Sequence, residues 1–312
     1  MEVLDPTIFA DVADAFGIEE PILVEKDYYA IQLLKWLYSV SDFSYSFIFS
    51  GGTSLSKAHI NTFRMSEDVD IKIIPSLDIQ KKSRSVQRKL RGQLYQKLRD
   101  LLEDHETFKL IESQKLDEGK FLQYYIEYPR YHQLIDAIRP VIQLEITESP
   151  LLEPPIIKPV SSMHAEALRL SPELSQCPCA TIEVTASEKF VSLLRRTAAY
   201  ARDNEKKDDE TLIRHIYDLH LINQSNADMT KISRFIEQVI KIDMEEFGNQ
   251  HPQFRDDPYK ELRYGFKLLQ EDIKHKDRYQ NFIGPLVYNQ NTASWEESMK
   301  SLNEKVSSWI KV

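Results

Sequence analysis

Between Pro21 and Val40, apolar side chains return at Val24, Tyr28, Ile31, Leu34 and Leu37, the interval of one helical face. The period shortens at 45–50, where Tyr-Ser-Phe-Ile-Phe-Ser is short and β-prone. At 68–74, Val69, Ile71 and Ile73 alternate with Asp68, Asp70 and Lys72. Both stretches predict strands, as do 120–128 and 141–147, while 84–104 predicts a helix. Beyond residue 180 the period is helical throughout, over 186–203, 210–224, 228–247, 258–278 and a last helix after Ser294. Six of the fourteen prolines fall at 150, 154, 155, 159, 172 and 178. Proline interrupts both helix and central strand, so this stretch predicts a connection between two lobes. The expected fold class is α/β (α+β): a mixed-sheet core over 1–180, then a mainly helical C-terminal lobe over 181–312. The cleft between them is the expected active site.

Composition narrows the class of protein. A length of 312 residues favours two domains, and 42% hydrophobic residues suit a globular protein. Mean hydropathy of −0.44 says the same. No apolar run approaches the roughly 18 residues of a membrane span. The opening MEVLDPTIFADVADAF is acidic rather than signal-like. The two cysteines, Cys177 and Cys179, match neither a zinc site nor a redox pair and predict reduced thiols in a cytoplasmic protein.

The candidate chemistry lies in Phe47-Ile-Phe-Ser-Gly51-Gly52-Thr53-Ser-Leu-Ser56-Lys57 and in Arg64-Met-Ser66-Glu67-Asp68-Val69-Asp70-Ile71-Lys72. A strand runs into a Gly-Gly turn, and a second strand then carries two carboxylates on one face. Asp68 and Asp70 repel each other unless a cation lies between them, and magnesium uses one or two protein carboxylates together with substrate phosphates. Gly51 and Gly52 permit a tight turn close to a phosphate, and Thr53 opens a helix whose free N–H groups suit an anion. Each feature alone is ordinary, since Gly-Gly is a common turn and Asp-x-Asp a common solvated strand end. Their order is what suggests a nucleoside triphosphate with its magnesium. Lys57 and Arg64 either contact phosphate or brace the strand.

Other segments offer what that motif lacks. A net charge of −9 argues against indiscriminate nucleic-acid binding, yet residues 79–99 hold eight basic side chains and no acid. Read as a helix, Lys81, Arg84, Arg88 and Arg91 share one side, and Val86, Leu90, Leu94 and Leu98 form an apolar stripe. That basic side either tracks an RNA backbone or is a solvated face. On strand 141–147, Glu145 shares a face with Gln143 and Thr147, opposite Glu148. It projects beside the aspartates if the two strands are neighbours, and is otherwise a half-exposed strand glutamate. Lys189 and Arg196, seven apart on one helix, offer two cations to a nucleotide's phosphates. Asp218 lies four residues after Arg214 and has a local pairing available.

Gly-Gly, fifteen residues and Asp-x-Asp together resemble the motif of the polymerase-beta-like nucleotidyltransferase superfamily. The fuller string, GGTSLSK through R-x-S-E-D-V-D, resembles the AbiEii/AbiGii family of nucleotidyltransferase toxins, which includes the MenT toxins. Glu25-Lys26-Asp27-Tyr28, Ser187-Glu188-Lys189 and Arg214-His-Ile-Tyr217-Asp218-Leu219 resemble further motifs of that family. The resemblance implies a nucleotidyltransferase core, magnesium as cofactor, an NTP as co-substrate and Glu145 as a third metal-holding acid. It also implies Lys189 and Asp218 as active-site members and Ser66 as a self-modification target. The implied acceptor is RNA, a tRNA 3′ end, and the implied partner is an antitoxin encoded nearby. Two alternatives stay open: transfer to a protein or small molecule, and a non-catalytic NTP-binding regulator.

Overall fold

The computed structural model describes residues 4–40, 44–203, 208–289 and 291–310. Contacts along the chain divide it into two units, Met1–Ala180 and Thr181–Val312.

The first unit begins with α1 (Thr7–Phe16), α2 (Pro21–Val40) and β1 (Tyr45–Ser50). Next comes α3 (Gly51–Ser54), which runs on as a π-helical turn over Leu55–His59, then β2 (Asp68–Pro75), α4 (Leu77–Gln80) and α5 (Arg84–Glu103). The remaining elements are β3 (Lys109–Leu116), β4 (Phe121–Glu127), β5 (Ile142–Glu148), β6 (Ile156–Val160), α6 (Met163–Ala167) and β7 (Leu174–Cys179).

The seven strands of the described residues form one mixed sheet in the order β3-β4-β5-β2-β1-β7-β6. β2 is its middle strand, antiparallel to β1 and parallel to β5. Val69, Ile71 and Ile73 sit beside Leu144, Ile146 and Glu148 on one face. α5 is tied to that face: the Tyr124 hydroxyl donates to the Tyr95 carbonyl at 2.8 Å, and Arg91 pairs with Glu148 at 2.9 Å. The opposite face presents Asp68 and Asp70 beside Gln143 and Glu145.

The proline-rich stretch is not a connection between lobes. It supplies β6 and β7, and β7 lies against β1. Its prolines are placed where a sheet tolerates them. Pro159 falls at a register shift in β6, an edge strand with no ladder to complete on its outer side. Pro178 still uses its carbonyl, which accepts from the Tyr38 hydroxyl at 3.2 Å. Both cysteines are free and buried.

The second unit is helical: α7 (Ile182–Arg202), α8 (Arg214–Gln224), α9 (Met229–Phe247), α10 (Pro252–Asp256), α11 (Pro258–Glu271), α12 (Ile273–Leu286) and α13 (Trp295–Trp309). α7 is its core helix, burying Val184, Phe190, Val191, Leu193 and Leu194. The single helix expected over 258–278 is broken at Asp272, an extended residue whose carboxylate accepts from the Lys274 N–H at 3.1 Å and so caps α12. No helix of the described residues is long and apolar enough to cross a membrane.

Candidate active site

Gly51 occupies the left-handed region at φ +73°, and a Cβ built on it would lie 1.8 Å from Asp70 Oδ2. Only glycine meets both conditions. A Cβ on Gly52 would lie 2.8 Å from an Arg64 terminal nitrogen and 2.9 Å from Ser66 Oγ. The Gly-Gly turn is therefore packed against Asp70, Arg64 and Ser66, all of them sequence-predicted. The turn is anchored to the sheet from below. Ser50 Oγ donates to the Asp70 carbonyl at 3.2 Å, Thr53 Oγ1 donates to the Asp68 carbonyl, and Ser54 Oγ donates to the Phe49 carbonyl at 3.2 Å.

Asp70 and Glu145 are register partners on adjacent parallel strands, and Asp68 is opposite Gln143. Glu145 Oε1 accepts from the side-chain amides of Gln123 at 2.8 Å and Gln143 at 2.7 Å. Both Asp68 oxygens accept from one Arg139 terminal nitrogen, at 2.9 and 3.0 Å. Arg139 also donates to the Gln143 side chain. The carboxylates Asp68, Glu67 and Glu145 hold the Arg139 guanidinium above its ordinary range, against the opposing effect of burial.

Arg139 was not singled out from the sequence. Its main-chain N–H donates to Glu67 Oε2 at 2.7 Å, and its carbonyl accepts from Lys26 Nζ at 2.7 Å. Lys26 and Glu67 pair with each other at 2.9 Å, with side chains 0% and 2% exposed. Burial pushes the Lys26 ammonium down, against the pull of Glu67. The neighbours of Lys26 on α2 act similarly. Glu25 accepts from the main-chain N–H groups of Tyr131 at 2.7 Å and His132 at 3.1 Å, and Asp27 accepts from Met163 N–H at 2.6 Å.

Several sequence-predicted residues fall elsewhere than expected. Thr53 lies in α3 as expected of a helix start, although the helix opens at Gly51, and its buried hydroxyl is used within the fold. Lys57 forms a buried pair with Asp27 at 2.7 Å, so it braces the turn against α2 rather than facing a phosphate. Lys81 is not on the helix with Arg84 and Arg88, because α4 ends at Gln80 and Ser83 starts α5. Arg91 leaves the basic face altogether: it is 5% exposed, pairs with Glu148 and donates to the Glu118 carbonyl at 3.2 Å. The apolar stripe correspondingly omits Val86, which is 39% exposed, and buries Leu94, Tyr95, Leu98 and Leu102. Arg84 and Arg88 are exposed, as are Lys81, Lys82 and Lys89.

In the helical unit, Lys189 and Asp218 meet in a buried ion pair at 2.9 Å. Arg196 pairs instead with Asp209 and lines a cavity of about 360 Å³ that also holds Tyr200, His275 and Arg278. Lys189 and Arg196 thus face different surroundings and do not make one cationic side.

Three carboxylates are hard oxygen donors, the chemistry magnesium prefers. Asp70 and Glu145 stand side by side, while Asp68 is turned to Arg139. Among the described residues no three acidic, histidine or cysteine side chains are gathered closely enough to hold a metal ion. By donor type the three acids suit magnesium, but as placed Asp68 is engaged by the Arg139 guanidinium rather than gathered with Asp70 and Glu145.

Comparison with known proteins bears on the fold and the family. No curated protein matches the sequence. The nucleotidyltransferase toxin MenT4 from Mycobacterium tuberculosis H37Rv shares the fold, with TM-score 0.60 and 16% identity over 99% of this chain and 91% of that one. An antigenic nucleotidyltransferase-like protein from Paracoccidioides brasiliensis aligns at 16% identity over 77% of this chain and 92% of that chain, with TM-score 0.32. The family model "Nucleotidyl transferase AbiEii toxin, Type IV TA system" matches residues 32–301, and this chain belongs to that family of nucleotidyltransferase toxins.

Proposed function

We propose that the enzyme transfers a nucleoside monophosphate from an NTP to an RNA hydroxyl, with magnesium as cofactor and a tRNA 3′ end as acceptor. The observation that carries this reading is the contact of Asp70 with the Gly51 turn, with Glu145 beside Asp70 on the next strand. Bound by Asp68, Asp70 and Glu145, magnesium would supply charge stabilisation to the attacking and leaving oxygens. The Gly51-Gly52 turn admits the triphosphate close to the backbone. The Arg64 guanidinium against Gly52 is buried and donates to the Met65 carbonyl at 2.9 Å, so it lends the turn positive charge from within the fold. The acceptor oxygen bonds to the α-phosphorus, the bond from that phosphorus to the bridging oxygen breaks, and pyrophosphate leaves with the electron pair. Glu145 takes the hydroxyl proton. Exposed Lys81, Lys82, Arg84, Arg88 and Lys89 support an RNA acceptor, because they come after β2 and the short α4 and would neutralise a phosphate backbone. Ser66 is the self-modification target this reading offers. On the family's motifs we assign Lys189 and Asp218 to the transfer as well. The type IV toxin–antitoxin setting implies an antitoxin partner.

Incubation with total RNA, magnesium and each labelled NTP tests the reading. Label in RNA is expected. Label in protein instead points to self-modification or a protein acceptor, and binding without transfer points to a regulator. An Asp70→Ala variant that kept full transfer would refute the assignment of the acids.

A further inference from the structure

Arg139 combines a fixed main chain with a movable head. Its N–H and carbonyl are held by Glu67 and Lys26, at 2.7 Å each, and those two side chains are buried. Pro140 follows and disfavours helical backbone at residue 139. The guanidinium reaches Asp68 from this anchor and is itself 36% exposed, with Asp68 29% exposed. A guanidinium cannot shed its proton in a protein, so it neutralises Asp68 at every physiological pH. A change of pH does not release that carboxylate, whereas a competing cation can.

We propose that Arg139 is the resident counter-cation of Asp68, which an incoming divalent cation must displace, so that Arg139 sets the cation concentration at which the site loads. The proposal rests on the reading of Asp68 as a metal-holding acid. Coulomb repulsion among Asp68, Asp70 and Glu145 is relieved in the unloaded enzyme by the guanidinium on Asp68 and by the two amides on Glu145. A divalent ion relieves it more strongly but has to compete with a charge-assisted bond to both oxygens of Asp68. Loading is therefore an exchange of one cation for another, and the anchored main chain keeps the displaced side chain next to the site.

The test is manganese binding to the full-length protein without nucleotide, read by loss of the free-ion electron paramagnetic resonance signal. The variants are Arg139→Gln, Arg139→Lys and Asp68→Asn. Removing the competitor in R139Q is expected to tighten binding about tenfold, equivalent to about 1.4 kcal/mol. R139K keeps the charge but loses the fork, so it is expected to lie between R139Q and the parent. D68N is expected to bind more weakly. If R139Q and R139K bind no more tightly than the parent while D68N binds more weakly, the exchange role is overturned and the metal assignment stands. If D68N binds as the parent does, Asp68 is not a metal-holding acid and the proposal falls with that reading. Thermal melts accompany each titration. Should R139Q not fold, R139K alone decides, by tightening or by unchanged binding.

Discussion

Alanine at Gly51 makes a direct test of the site's geometry. The new methyl group would sit 1.8 Å from Asp70 Oδ2, 2.5 Å from its Cγ and 2.8 Å from its Cβ, on a residue at φ +73°. To restore an ordinary contact of 3.4 Å from 1.8 Å, the carboxylate must retreat by about 1.6 Å. Left-handed backbone costs a non-glycine residue about 1–2 kcal/mol, and overpacking about 1–3 kcal/mol more. G51A is therefore expected to lose about 2–5 kcal/mol in urea unfolding. Transfer should fall far more than stability, because an acid displaced by more than an ångström misses its oxygen. The double-mutant cycle with Asp70→Ala separates the two costs. D70A removes the contacts at 1.8 and 2.5 Å and leaves the one at 2.8 Å. The pair should consequently couple by about 1–2 kcal/mol, the share due to overpacking. Full transfer by G51A, or strict additivity of the two changes in stability, would show that the turn and Asp70 do not meet as described.

Two more predictions concern other parts of the chain. His275 is held neutral by burial, which pushes its imidazole down from 6.5 to about 4, with Lys274 and Arg278 opposing its charge and Asp272 and Asp208 favouring it. The unfolded chain takes up a proton near pH 6.5 and the folded one only near 4, so stability is kept above 6.5 and lost between 6.5 and about 4. The gap corresponds to up to about 3 kcal/mol, and His275→Gln should flatten the pH profile of unfolding over that interval. On the basic segment, the combined K81A, R84A and R88A variant should reduce the slope of log affinity for single-stranded RNA against log salt by about 2. R91A should leave that slope unchanged and lose about 3–5 kcal/mol, because it strands Glu148 beneath α5.

What the sequence disclosed followed from local period. Alternation in β2 and β5 put Asp68, Asp70 and Glu145 on polar faces without any knowledge of the sheet. That β5 is the neighbour of β2 is a matter of strand order, which no local pattern carries; resemblance to the superfamily supplied the condition under which Glu145 mattered. Arg139 was illegible for the same reason: its partners Glu67 and Lys26 lie 72 and 113 residues away along the chain. Helical spacing misassigned Lys81 and Arg91 for different causes. Ser83 interrupts the helix between Lys81 and Arg84. Arg91 has a long stem that reaches a carboxylate on the sheet and so behaves as a core residue. The proline count misled because it took no account of edge strands, where a missing N–H costs little.

Glu25, Lys26 and Asp27 are three successive charged residues of α2, each buried, an arrangement that hydrophobic burial does not explain. Each is tied to a different segment: Glu25 to 131–132, Lys26 to Glu67 and Arg139, and Asp27 to Lys57 and α6. Buried pairs of this kind add little net stability but are costly to break one side at a time, and they select one arrangement of the chain. Lys26→Met should therefore lose about 3–5 kcal/mol by leaving Glu67 buried without its cation, and K26M combined with Glu67→Leu should recover most of that loss. Recovery of the fold is not expected to restore transfer. The double variant removes the acceptor for Arg139 N–H and the donor for its carbonyl, so the group that faces Asp68 loses its anchor. A folded K26M/E67L protein with normal transfer would mean that the pair serves stability alone. A folded but inactive one would place the function of this helix in positioning Asp68 at the start of β2, which is the reason to keep buried charge where an apolar pair would be as stable.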